Sequence, residues 1–137
     1  MQPASLSSNP QDAYRRQDVM TASPTDLIVM LYDALKKNII LGRRGIAKKD
    51  IEATHNHLIK AQEIVTELVN SLDMNYDISE ELLSIYEFIL TSLEDANFQK
   101  NAEILDPVVE IVDSLRSAWH EISQANKGNL YINEVQA

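Results

Sequence analysis

The chain has 137 residues, of which 45% are apolar and 24% are charged, a composition typical of one soluble globular domain. It has no cysteine, which excludes disulfides and thiolate metal sites. The net charge is −9, and residues 73–123 alone carry 12 acidic against 2 basic side chains, which disfavours binding to nucleic acid. The N-terminus lacks a secretory pattern, and no apolar run reaches the roughly 18 residues of a membrane span, so membrane insertion is not predicted.

The two ends of the chain differ in composition from its middle. Residues 1–12 are rich in Ser, Pro, Asn and Gln and are predicted to be a disordered lead. Residues 13–126 are predicted to form a single domain, and residues 127–137 a flexible tail that starts where Gly128 ends the last helix. Gly and Pro are scarce in the chain as a whole, which favours long helices over many short strands.

The first two predicted helices have clear starts. Ser23 is a good N-cap for helix 1, with Pro24 at the first helical position, and the helix is expected to extend to about Ala47. Helix 2 is predicted to begin near Asp50. Apolar or small residues recur every three or four positions along both helices, at Leu27, Leu31, Leu35, Ile39, Gly42 and Ile46, and at Ile51, Thr54, Leu58, Ala61, Val65, Leu68 and Leu72.

The second half of the chain repeats this pattern twice. Helix 3 is predicted to be capped by Asp77 and to end near Lys100, and helix 4 to start near Asn101 or at Asp106. Their apolar stripes are Leu82, Tyr86, Ile89, Leu93 and Ala96, and Leu105, Val108, Val112, Leu115, Trp119 and Ile122. Four helices joined by short connections predict an all-α, antiparallel, up-down-up-down four-helix bundle with a flexible N-terminal segment.

Each helix carries more apolar residues than one core-facing stripe needs. Examples are Ile28, Tyr32, Ile59, Phe88 and Ile111. Three explanations remain open at this stage: a wide core face, grooves that accept apolar helices of a partner, or a homodimer interface. Periodicity alone does not choose among them.

Catalytic and metal-binding patterns are incomplete. Glu52 and His55 have the spacing of a di-iron carboxylate bundle, but the second motif that such a site needs is missing. The basic cluster of Arg43, Arg44, Lys48 and Lys49 is interpreted as a solvated helix end. We therefore expect no catalytic residue, no metal site and no cofactor.

One alternative function rests on His57. The segment from His57 to Ala61 is similar to the motif of histidine phosphotransfer domains, which are also four-helix bundles with a Lys three residues after the His. Ala61 stands where a glycine usually follows that Lys. A solvated polar histidine is the simpler interpretation, and phosphotransfer through His57 is kept as the alternative.

The sequence resembles the flagellin-specific secretion chaperones of the FliS family over residues 13–123. Residues 13–14 and 19 belong to the match, and its longer segments are TASPTDL (21–27), MLYDAL (30–35), LIKAQEI (58–64), ELVNSLD (67–73) and LRSAW (115–119). The resemblance implies a cytoplasmic antiparallel four-helix bundle. It further implies that the bundle binds the disordered C-terminal segment of flagellin in apolar grooves, prevents its premature polymerisation and delivers it to the flagellar export gate.

The resemblance also suggests candidate binding residues. It implies that Tyr14 packs near the grooves, and we expect it to cover them together with Val19 and Met20. The expected groove lining is Ile28, Tyr32, Ile59, Val109 and Ile111, for each of which a core position is the alternative. The expected partners are flagellin, an export-gate component and other flagellar proteins, and the expected state is a monomer or weak homodimer.

Overall fold

The computed structural model describes the backbone of residues 24–136 and the side chains of residues 24–125. These residues form four α-helices, α1 (Pro24–Ala47), α2 (Ile51–Asn70), α3 (Asp77–Gln99) and α4 (Leu105–Gln136), with a 3₁₀ turn (Ala102–Ile104) before α4. The described part of the chain contains no strand, and the predicted all-α bundle is confirmed. None of its helices is long and apolar enough to cross a bilayer.

The helix starts follow local hydrogen-bonding chemistry. Asp50 caps α2, and its side chain accepts a hydrogen bond from the backbone N–H of Ala53 at 3.0 Å. Asn101 caps the 3₁₀ turn in the same way. The expected cap at Asp77 is wrong, because Tyr76 occupies the cap position of α3 without a side-chain hydrogen bond. Asp77 is the first helical residue, where its charge still favours the helix N-terminus.

Two glycines lie inside α1 because α2 passes close by. A Cβ atom at Gly42 would come within 2.5 Å of Leu58 Cδ2, and one at Gly45 within 2.6 Å of Thr54 Oγ1. Helix α1 therefore continues to Ala47, as predicted. Helix α4 likewise continues through Gly128 to Gln136, where the sequence predicted a break. A single glycine costs a helix only about 1 kcal/mol relative to alanine, which is too little to end it.

The core follows most positions of the predicted stripes, with exceptions on α1, α2 and α4. On α2, Ile51 is 68% exposed although it continues the stripe. On α1, the buried face is rotated toward Val29 and Tyr32, while Leu27 and Leu31 are only half-buried. The fully buried large side chains include Tyr32, Leu35, Ile39, Leu58, Leu68, Tyr86, Ile89, Leu93 and Leu105.

Three ion pairs between α1 and α4 identify the flank of α4 that faces α1. Their nitrogen–oxygen distances are 2.7 Å for Lys36–Asp113, 3.4 Å for Arg43–Asp106 and 2.9 Å for Arg116–Asp33. All six side chains are substantially exposed, so each pair contributes about 1 kcal/mol or less to stability. Helix α1 packs against α2 and α4, and α2 packs against α3. The backbones of α3 and α4 come close at few positions apart from the 3₁₀ turn between them.

Candidate partner-binding surfaces

An apolar strip, which we name the α3–α4 seam, runs between α3 and α4. On α4, Ile111, Leu115 and Ile122 lie about 160–180° around the helix from Asp113, whose carboxylate is paired with Lys36 of α1. They therefore occupy the flank that faces away from α1. The seam consists of these three residues and of Ile78, Ile85 and Phe88 from α3.

The side chains of the seam are only partly covered. Ile78 is 56% exposed, Phe88 48% and Ile122 44%, while Ile85, Ile111 and Leu115 are half-buried against the core. Ile78, Ile85 and Phe88 share one face of α3 because they are spaced by seven and three residues. The seam thus presents two parallel apolar rows, which is the geometry that accepts an amphipathic helix.

A second surface, which we name the α2 groove, follows the outer flank of α2. It consists of two open depressions of about 410 and 370 Å³ that share Ile59 and Gln62. At one end, Asn97 of α3 hydrogen-bonds His55 at 3.0 Å, and Phe98 beside them is 91% exposed. The lining residues are His55, Ile59, Gln62, Glu63, Thr66, Glu67, Asn70, Glu94, Asn97, Phe98 and Lys100.

The groove residues proposed from sequence do not form one site. Ile111 lies in the α3–α4 seam and Ile59 in the α2 groove, on different flanks of α3. Ile28 and Val109 are half-buried and packed against the core. The proposed cover residues, Tyr14, Val19 and Met20, lie outside the described residues.

Tyr32 is part of the core. It is 0% exposed, and its hydroxyl is 2.5 Å from that of Tyr86, which is 2% exposed. Burial raises the pKa of both hydroxyls, and the hydrogen bond to Tyr86 raises the pKa of Tyr32 further, while Trp119 partly offsets this. Both tyrosines are therefore neutral at ordinary pH. The geometry gives Tyr32 a packing role in the structure as it stands.

The most exposed apolar side chains were missed as site candidates by the sequence reasoning. Phe98 and Ile78 lie outside the predicted stripes, and Ile122 was predicted to be in the core. The available signal was a large apolar side chain at a position that breaks the three-four spacing, as Phe98 does on α3. On α3 this position points away from the core face, and Phe98 remains at the surface.

His55 and His57 take part in ordinary polar contacts. His57 is half-buried between α1 and α2, with Nδ1 at 3.3 Å from Asn38 Oδ1. Ala61, where phosphotransfer domains usually carry a glycine, is fully buried. Residues 24–125 contain no cluster of three or more His, Asp or Glu side chains able to hold a metal ion.

Comparison with known proteins gives a consistent result. Residues 7–126 match the family described as flagellar protein FliS. The chain is 34% identical over 119 residues to a protein of Bacillus subtilis, covering 87% of this chain and 90% of that protein. It is 29% identical to a Vibrio cholerae protein over 80% of this chain and 85% of the other, and 30% identical to a Salmonella typhimurium protein over 77% and 80%. Each of these relatives is named flagellar secretion chaperone FliS.

Proposed function

Because this chain belongs to the FliS family of flagellar secretion chaperones, we propose that it binds the disordered C-terminal segment of flagellin in the cytoplasm. The bound segment is kept from polymerising and is delivered to the flagellar export apparatus. The relatives are named as chaperones, so the proposed role is binding and involves no catalysis. The observation that carries the proposal is the α3–α4 seam, an apolar surface that the bundle leaves partly open.

The dimensions of the seam fit a short amphipathic helix. Its α3 row runs from Ile78 to Phe88 and its α4 row from Ile111 to Ile122, which are 10 and 11 steps of 1.5 Å and correspond to about 15–17 Å. A guest helix of about three turns has this length and presents apolar side chains at every third or fourth position. Burial of the exposed half of Phe88 contributes about 0.7–1.5 kcal/mol, half the value for a fully exposed large side chain, which helps to offset the cost of ordering the guest.

The α2 groove supports a longer contact. It extends from His55 to Asn70, about 22 Å along the helix, and Ile59 and Phe98 provide its apolar side chains. The seam and the groove lie on different flanks of α3, so one segment that occupies both must wrap around this helix. A wrapped segment buries more surface than a single helix, as coupled folding and binding requires.

The charge of the carrier is compatible with this role. Residues 73–123, which include α3 and most of α4 up to Ser123, have a net charge of −10. The acidic side chains around the apolar strips keep a protein with exposed Phe and Ile side chains soluble. They also repel nucleic acids and other anions that would compete for the same surface.

Calorimetry with a peptide of the flagellin C-terminal segment tests the proposal. We expect one peptide per chaperone and a negative heat-capacity change, since apolar surface is buried. Phe88→Ser and Ile122→Ser should each weaken binding by about tenfold or more, because hot-spot side chains contribute about 2 kcal/mol. Met74→Ser is the matched control, since Met74 is 52% exposed but lies in the α2–α3 turn outside both surfaces.

Two results contradict the proposal. One is the absence of any heat of binding when the peptide is titrated at tens of micromolar. The other is equal binding by Phe88→Ser, Ile122→Ser and Met74→Ser, which would place the contact away from the seam. Circular dichroism of each variant separates lost binding from lost fold.

A further inference from the structure

A third depression, which we name the end pocket, lies at the tip of the bundle where α1 turns into α2 and α3 ends. Its volume is about 380 Å³, which is within the range of small ligand pockets. Ile51, 68% exposed, contributes an apolar wall although it continues the core stripe of α2. The lining residues are Gly45, Ile46, Lys49, Asp50, Ile51, Thr54 and Lys100.

The two lysines of this pocket have an unusual backbone conformation. Lys49 has φ 58° and Lys100 has φ 51°, and among the described residues no other non-glycine residue has a positive φ. The left-handed region costs a residue with a Cβ about 1–2 kcal/mol, and glycine or asparagine usually occupies such helix ends. The interaction of a cation with an exposed helix C-terminus stabilises the helix by only about 0.3–1 kcal/mol. Helix capping alone therefore does not account for lysine at both positions.

The end pocket carries more basic than acidic side chains on a molecule that is acidic as a whole, since Lys49 and Lys100 line it together with one carboxylate, that of Asp50, which accepts the cap hydrogen bond of Ala53. Arg44 and Lys48 are exposed, and the ion pairs found within residues 24–125 include neither of them. Lys100 donates a hydrogen bond to Asn97 and retains two further N–H donors. Because residues 73–123 carry a net charge of −10, an acidic partner is repelled by the α3–α4 side of the bundle and attracted to the lysines of this tip.

We propose that the end pocket binds an acidic protein segment that carries one large apolar side chain. The apolar side chain lies against Ile51 and Ile46, and flanking carboxylates accept hydrogen bonds from Lys49 and Lys100. The pocket shares no residue with the α3–α4 seam and only Lys100 with the α2 groove. A chaperone with an occupied seam therefore still presents the end pocket, and Lys49 lines the end pocket alone.

The strained backbone at Lys49 and Lys100 allows one pair of substitutions to weaken binding without lowering stability. Replacing Lys49 and Lys100 by glycine relieves the left-handed conformation, so Lys49→Gly/Lys100→Gly should unfold at the same or a higher temperature than the unmodified protein. The same substitutions remove the two proposed carboxylate contacts. A hydrogen bond to a charged group contributes about 1.5 kcal/mol or more, so the double variant should bind the acidic probe about tenfold or more weakly.

The probe is a blocked hexapeptide of sequence EDLFED, titrated into ¹⁵N-labelled full-length protein. We expect amide shifts centred on Gly45, Ile46, Ile51 and Thr54, and weaker binding at higher salt. The peptides EDGSED and KKLFKK should bind at least about tenfold more weakly, since each lacks one of the two recognised features. Lys60→Ala is the matched control, since it removes one exposed positive charge from α2 outside the pocket.

Three outcomes overturn the proposal: no shifts around the pocket at millimolar peptide, equal binding of EDLFED and EDGSED, or equal binding by the double glycine variant and Lys60→Ala. The single variant Lys49→Gly lacks one proposed pocket contact and changes no residue of the α2 groove, so calorimetry with the flagellin peptide on this variant should give unchanged affinity. The proposal for the end pocket and the proposal for flagellin binding can therefore be refuted independently of each other.

Discussion

Substitutions in the buried tyrosine pair test whether Tyr32 stabilises the bundle or contacts a partner. The hydroxyls of Tyr32 and Tyr86 are 2.5 Å apart in the core, so each is the other's hydrogen-bond partner. Tyr32→Phe removes one hydroxyl and leaves that of Tyr86 buried without this partner. Such an orphaned group costs about 1–3 kcal/mol.

The structure predicts that the two single variants differ. In Tyr86→Phe the remaining Tyr32 hydroxyl still lies near Trp119, which lowers the pKa of Tyr32 and whose indole N–H is then the nearest replacement donor. We therefore expect a loss of about 1 kcal/mol for Tyr86→Phe and about 2 kcal/mol for Tyr32→Phe. The double variant removes both hydroxyls together and should lose less than about 1 kcal/mol, because no polar group is then left unpaired. The coupling energy is thus about 2 kcal/mol or more.

Urea unfolding followed by circular dichroism measures all three losses. The same variants should bind the flagellin peptide with unchanged affinity, because Tyr32 exposes no surface to a partner. A double variant as destabilised as the sum of the singles would show that the hydroxyls do not depend on each other. Weaker peptide binding by folded Tyr32→Phe would show that the site opens and recruits Tyr32.

Three further predictions follow from the described contacts. Burial raises the pKa of Tyr32 and Tyr86 above their ordinary value of about 10, so above this pH the tyrosines ionise more readily in the unfolded chain than in the folded one. The free energy of unfolding should therefore fall by up to about 1.4 kcal/mol per pH unit for each tyrosine. Urea unfolding measured between pH 9 and about 11 should show this slope, and the double phenylalanine variant should lack it. Gly45→Ala places a Cβ atom 2.9 Å from the backbone nitrogen of Thr54 and should cost about 1–3 kcal/mol from overpacking, reduced by the roughly 1 kcal/mol gained in helix propensity; an unchanged thermal midpoint would mean that α2 moves away freely. Asp50→Ala should lose about 1 kcal/mol in urea, whereas Asp50→Asn should retain most of it, because asparagine also caps helices; equal losses would show that the cap hydrogen bond to Ala53 is not the cause.

The fold was largely predictable because local and global signals agree. The three-four spacing on α2 and α3 identified buried residues such as Leu58, Leu68 and Leu93, all of which are 0% exposed. Cap chemistry located the start of α2 at Asp50. The break expected at Gly128 was wrong because a single glycine was given too much weight. A helix continues through one unfavourable residue when its other residues favour the helix.

The candidate surfaces were less predictable. Periodicity states that an apolar residue lies on a given face but not which neighbour covers that face. Ile51 and Ile122 continue core stripes and are nevertheless exposed, because none of the helices described between residues 24 and 125 packs over them. Tyr32 lies off the predicted stripe and is fully buried, because α1 packs between α2 and α4 and presents a rotated face to the core.

The all-α class, the four helices and most core positions follow from the amino-acid sequence alone, as does the resemblance to flagellin secretion chaperones. These features depend on spacing and local chemistry within one segment. Only the tertiary structure decided which surplus apolar residues form the α3–α4 seam, which lie in the core, and that Lys49 and Lys100 meet at one pocket. The physical reason is that exposure depends on the packing of neighbouring helices. That packing joins residues far apart in the chain, such as Tyr32 with Tyr86, and no local pattern encodes it.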